Sequence, residues 1–169
     1  MLLRHAKAAP FSPTGDHERP LTERGRGDAA RLREYLAREH LLPAFAAVSD
    51  ARRTRDTWDI LSDGWAKIPV RFEPRIYEAA TPALWALLRQ SPDEMKTLGC
   101  VGHNPGFADL AAEMSGFGDR YAPARMRHHF PTCSLAILDL NVDSWADAAP
   151  GAARLDRFVT PKTLGGIDD

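Results

Sequence analysis

The chain has only two cysteines in 169 residues, Cys100 and Cys133, and each lies inside an apolar run. An unpaired cysteine in such a setting behaves as a small buried hydrophobe, so no disulfide framework is expected. No apolar run approaches the ~18 residues that a membrane-spanning helix needs. The N-terminus also lacks the basic segment and apolar stretch of a secretion signal. A cytoplasmic location and no membrane partner are therefore expected. Charge of one sign is missing too. Lys and Arg number 22 against 23 Asp and Glu, so no global field favours nucleic acid or an anionic membrane, and any anion site must be local. There is no His-x-x-x-His pattern and no cysteine pair, so neither a metal nor another cofactor is expected. Basic and aromatic residues do not interleave as they do along a nucleic-acid groove. No repeat, low-complexity tract or linker divides the chain. One domain over residues 1–169 is expected, with 165–169 a frayed tail.

What is present is an ordinary globular composition, 44% hydrophobic and 27% charged, in a chain long enough to bury roughly two-thirds of its unfolded surface. The pattern alternates between strand and helix. Met1 to Leu3 is a short apolar run. Thr22 can cap a helix over about 23–39, with Ala29, Leu32 and Leu36 on one stripe. Phe45 to Ser49 reads as a strand, Thr54 to Leu61 as a helix and Val70 to Phe72 as a strand. Thr81-Pro82 and Asn104-Pro105 both read as a cap followed by proline at the first helical position. A strand over 97–102 lies between the helices they open, and Gly116 closes the second helix. Strands over 134–140 and 154–159 can form a hairpin, while 9–20 and 116–129 read as loops.

Such alternation predicts an α/β layered domain with a mostly parallel sheet, whose ligands bind beyond the carboxyl ends of the strands. Three strand ends carry reactive side chains: Arg4-His5, Ser49 with the Arg52-Arg53-Arg55 cluster, and Gly102-His103. Neutral imidazole is a usable nucleophile near pH 7. Guanidinium forks and a second imidazole suit the spread charge of a phosphoryl group in transfer. A second Arg-His pair, Arg127-His128, lacks this context and reads as surface, as do His17 and His40. Trp58, Trp65, Trp85 and Trp145 read as packing residues.

Four ordered blocks resemble the histidine phosphatase (phosphoglycerate mutase-like) superfamily, most closely its SixA-type phosphohistidine phosphatase branch. They are Leu3-Arg4-His5-Ala6-Lys7-Ala8, Arg19-Pro20-Leu21-Thr22-Glu23-Arg24-Gly25, Ser49-Asp50-Ala51-Arg52-Arg53-Thr54-Arg55-Asp56-Thr57 and Val101-Gly102-His103-Asn104-Pro105, and Thr160-Pro161-Lys162-Thr163-Leu164 agrees as well. The resemblance implies a three-layer α/β/α sandwich and a metal-independent phosphatase working through a covalent phosphohistidine. It makes His5 the nucleophile and Arg4 a phosphoryl ligand. Arg53 is the second arginine by the Ser-x-x-x-Arg-x-x-x-Thr count, with Arg52 favoured by a one-residue slip, and His103 is the second histidine. Glu78 occupies the place of the family's leaving-group acid, and a surface glutamate is the alternative. Lys7 and Asn104 are candidate substrate contacts.

Three departures matter. Ala6 stands where the signature has glycine, and the first strand is short, which allows a true start upstream of Met1. The lid-forming insertions of the larger relatives are absent as well. An open site suits a bulky partner, so phosphohistidine on a signalling or phosphotransfer protein is the expected substrate. A small phosphomonoester, or a phosphate-binding module whose catalysis has decayed, are the alternatives.

Overall fold

The computed structural model describes residues 1–118 and 120–169. The strands are β1 (Leu2–Arg4), β2 (Phe45–Val48), β3 (Val70–Phe72), β4 (Leu98–Gly102), β5 (Ser115–Phe117), β6 (Leu135–Leu140) and β7 (Ala153–Val159). The helices are α1 (Glu23–Arg38), α2 (Arg52–Ser62), α3 (Thr81–Arg89), α4 (Gly106–Met114) and α5 (Ala122–His128). The strands form one sheet in the order β3-β2-β4-β1-β6-β7-β5. Pairing is parallel from β3 through β1 and again between β5 and β7; β6 is antiparallel to both its neighbours.

Strand side chains alternate between faces with period two, and the two cores follow that rule. Leu3, Ala46, Val48, Val101, Leu135 and Ile137 pack with Ala29, Leu32 and Leu36 of α1 and Trp58 and Leu61 of α2. Their chain neighbours Leu2, Ala47, Cys100, Ala136 and Leu138 face the other way, onto α3, α4 and Met126 of α5. The result is the expected α/β/α sandwich. Both cysteines are buried free thiols, and no described helix is long and apolar enough to cross a membrane.

Local signals act largely as the sequence predicts. Thr22 Oγ1 accepts from the Gly25 N–H at 3.0 Å, capping α1. A Cβ at Gly25 would sit 2.1 Å from the Lys7 carbonyl oxygen, so only glycine lets α1 start this close to the first loop.

Four readings need correction. Thr81 is the first residue of α3 rather than its cap, and its hydroxyl donates to Glu113. Asn104 does not cap α4, which begins at Gly106 beyond the cis Asn104–Pro105 bond; the Asn104 amide goes to Phe130 instead. Gly116 sits within β5, and α5 follows, so 116–129 is not a plain loop. The tail expected to fray is tied down: Asp168 accepts from Thr160 and Lys162, and Asp169 from Lys7 and Thr132.

Candidate active site

The parallel register places the ends of β1, β2 and β4 side by side. His5 N–H donates to the Gly102 carbonyl and Ser49 N–H to the Val101 carbonyl, so the residues that follow each strand emerge together. The rings of His5 and His103 lie 5.2 Å apart between centroids, tilted by 56°. Both are buried, at 8% and 6% exposure.

His5 Nδ1 lies 2.8 Å from the Ala6 carbonyl oxygen. A carbonyl can only accept, so Nδ1 carries the proton and Nε2 the lone pair. Burial, reinforced by the Arg53, Arg4 and Arg19 charges, lowers the His5 pKa to about 3, which keeps the ring neutral. His103 is likewise lowered to about 3, first by burial and then by His5 and Arg53. Its Nε2 lies 2.8 Å from Ser49 Oγ. That hydroxyl also accepts from Ala51 N–H at 3.4 Å; when it turns its own proton to His103 Nε2, the ring proton of His103 sits on Nδ1.

Helix α2 supplies the second arginine. Arg53 is buried, whereas Arg52 and Arg55 are exposed, so of the three it is Arg53 that turns inward from α2. One turn on, Thr57 Oγ1 donates to the Arg53 carbonyl at 2.6 Å and accepts the Ala6 N–H at 3.0 Å. A single face of α2 thus holds both a guanidinium and the backbone beside His5. Arg4 Nη1 donates to the Phe130 carbonyl at 2.7 Å, and Asn104 Nδ2 to the same oxygen at 2.8 Å. Arg4 Nε, Arg53 Nε and His103 Nδ1 are buried without a partner among the described residues. Buried donors are almost always paired, so unpaired ones on Arg4 and His103 at adjoining strand ends and on Arg53 of α2 point to an anionic ligand.

Several residues here escaped the sequence reading. Asp16, in a one-turn 3-10 helix over 16–18, accepts from Arg53 through its carbonyl (2.8 Å) and carboxylate (3.1 Å), from Tyr77 Oη (2.6 Å) and from Arg19 (2.7 Å). The Tyr77 bond and the two arginines lower its pKa to about 2. The Tyr77 ring stands edge-on to His103 at 5.4 Å and to His17 at 5.0 Å. His17 is therefore not a mere surface residue. It bonds Asp50 and Glu18, both at 3.1 Å, and these carboxylates raise its pKa. Ser49 and Asp50, consecutive in sequence, each hold a histidine. The signal available in the sequence was proximity: Asp16 and His17 lie close to the Arg19-Pro20-Leu21-Thr22 block, Tyr77 precedes Glu78, and Asp50 follows Ser49.

The remaining candidates are held differently. Glu78 has φ +51°, is exposed, and makes no hydrogen bond or ion pair among the described residues. Lys7 Nζ is paired with Asp169 at 2.7 Å. Asn104 gives one amide N–H to the Phe130 carbonyl, and its Oδ1 is buried without a partner among the described residues. His40 and the Arg127-His128 pair are exposed.

Known proteins resemble this chain in sequence and in fold. A family model described as the histidine phosphatase superfamily (branch 1) matches residues 1–96. An uncharacterized protein of Mycobacterium tuberculosis (strain H37Rv) is 36% identical over 165 residues, covering 95% of this chain and 100% of the relative. An uncharacterized chloroplastic protein of Arabidopsis thaliana is 32% identical, covering 95% and 77%. Among solved structures, one provisionally named phosphohistidine phosphatase SixA, from Nakamurella multipartitia, has a TM-score of 0.81 at 28% identity and covers 95% of each chain. A protein histidine phosphatase SixA complexed with tungstate shares the fold at TM-score 0.79 and 19% identity, covering 96% of this chain and 97% of that one.

Proposed function

The chain belongs to the histidine phosphatase superfamily, and on that premise we propose that it hydrolyses phosphohistidine on a signalling or phosphotransfer protein through a covalent intermediate on His5. The observation that carries this reading is the pairing of a neutral His5, its lone pair on Nε2, with three buried donors that lack partners.

In this reading His5 Nε2 attacks phosphorus, a P–N bond forms, and the bond to the leaving group breaks. Arg4, Arg53 and His103 take the phosphoryl oxygens, whose charge spreads as the group transfers. Splitting one displacement into two lowers each barrier. Water then attacks phosphorus, its proton passes to solvent, and orthophosphate leaves His5. An imidazole leaving group that is already protonated on its second ring nitrogen departs neutral and needs no acid from the enzyme. The outward position of Glu78 fits that substrate better than an alkoxide leaving group, which gains a typical 10²–10⁴-fold from a positioned acid.

The test is direct. The protein is exposed briefly to a ³²P-labelled phosphohistidine protein and denatured, and the label is characterised. Acid-labile, base-stable phosphate on His5, absent from His5→Ala, is the expected result. Binding without labelling would mean a phosphate-binding module. Turnover of small phosphoesters at rates equal to or above the protein substrate would move the assignment to a small-molecule phosphatase.

A further inference from the structure

We infer that α5 and its flanks form a docking ridge for an acidic protein surface next to the phosphorylated residue. The inference rests on the proposed phosphoprotein substrate and adds where that partner binds. Residues 120–138 contain three arginines and two histidines and no carboxylate; from outside the segment Asp109 faces Arg127 and Asp168 faces His129. Arg120 lies over the Tyr121 ring at 4.7 Å and donates to its hydroxyl at 2.6 Å, which holds the guanidinium outward. Arg127 is about half exposed and lies 3.7 Å from the Asp109 carboxylate, and His128 is exposed beside it. Phe117 and Tyr121 are 66% and 58% exposed, which adds the aromatic character common at protein interfaces.

The position of the ridge links it to the chemistry. Its C-terminal end runs into Phe130, whose carbonyl is gripped by Arg4 and Asn104. A helix of this length spans about 10 Å, so an extended chain seated on His5 covers it in roughly three to six residues.

The side of the site around Tyr77 and His17 gathers carboxylates instead. Asp16, Glu18 and Asp50 are there, paired with Arg19, Arg53 and His17, and Glu78 next to Tyr77 is exposed. A uniformly anionic polymer such as nucleic acid would meet these carboxylates as it crossed the mouth. A folded protein can present acid on one side only, and a mouth divided in this way fixes its orientation. Complementary charge of this kind sets encounter rate and orientation.

The experiment uses peptides with one central phosphohistidine. Six glutamates are placed on its N-terminal or its C-terminal side, and lysine counterparts are made for each. Binding to the His5→Ala protein, which cannot turn them over, is followed by fluorescence anisotropy. The better acidic peptide is expected to bind about ten-fold more tightly than its lysine counterpart. That advantage should disappear in about 0.5 M salt, where screening is short-ranged, and in Arg120→Gln/Arg127→Gln/His128→Gln. The same triple substitution in the otherwise native chain should leave p-nitrophenyl phosphate turnover within about two-fold and the melting temperature unchanged, because none of the three side chains bonds a site residue.

Equal affinity for acidic and basic peptides, a preference that survives the substitutions, or tighter binding of a single-stranded oligonucleotide of equal charge would each overturn the ridge. Failure to label His5 while the acidic preference persists would remove the phosphatase reading and leave the ridge standing.

Discussion

At the scale of single residues, the site separates groups that the sequence lists together. Arg52 and Arg53 are adjacent, yet only Arg53 is buried, and its Nε is a buried donor without a partner among the described residues. Arg53→Ala should lower kcat on p-nitrophenyl phosphate by about 10²–10³-fold, the usual cost of a lost oxyanion donor. Arg52→Ala should stay within about two-fold. Equal losses in the two variants would refute the assignment. Asp16 carries a second argument at this scale. Its carboxylate gathers Arg53, Arg19 and Tyr77, so it aims the guanidinium without touching the reacting group. Asp16→Asn keeps one acceptor oxygen and loses the charge. We expect kcat/KM to fall by about ten-fold, the equivalent of one weakened charge-assisted bond, with Asp16→Glu restoring part of it. If Asp16→Asn instead raised activity, the carboxylate would be competing with substrate for Arg53.

At the scale of elements, legibility followed packing. Helix α1 was readable because its cap and apolar stripe are both local, and the structure buries Ala29, Leu32 and Leu36 as the spacing demands. Strands β1, β2 and β4 were readable because apolar runs end abruptly in reactive residues. Strand β5 and helix α5 were not. They have three and seven residues, and α5 buries only Ala122 and Met126, too few positions to show a period. Tertiary contact forms these elements rather than local propensity.

The same reasoning explains why His17 looked like surface: its partners Asp50 and Tyr77 lie 33 and 60 residues away. Helix α2 gives the prediction that belongs here. Thr57 joins the helix to the nucleophile loop through the Ala6 N–H. Thr57→Val preserves shape but strands that buried donor, at a cost of about 1–3 kcal/mol. Urea denaturation should show this loss together with reduced turnover, whereas Thr57→Ser should recover both. Equal stability of Thr57→Val and the parent chain would mean that the bond is not formed.

At the scale of the whole molecule, the two buried imidazoles tie stability to pH in a direction the geometry fixes. Both have folded pKa values of about 3, against roughly 6.5 for an unfolded histidine. As pH falls below 6.5 the unfolded chain takes up protons that the native site refuses, so stability drops between about 6.5 and 3 and is fully present above that range. Each histidine contributes a slope of up to about 1.4 kcal/mol per pH unit. Some other groups act elsewhere on the scale. Asp16 and Glu73, lowered to about 2, withdraw their contribution only as pH falls from about 4 towards that value. His17, whose pKa is raised, contributes below its unfolded pKa and loses that contribution as pH rises through the folded value; it is exposed enough that the effect is small.

Between pH 6.5 and 4.5 the buried N-terminal amine, whose pKa burial also lowers, acts in the same direction, so His5 and His103 are read from the difference between two chains. Urea midpoints measured across the interval should fall more steeply for the parent chain than for His5→Gln/His103→Gln, which keeps only the slope of the amine. A parent chain whose midpoint falls no more steeply than the variant's over the same interval would mean that the imidazoles are solvated, and the neutral nucleophile with its unpaired donors would lose its physical basis.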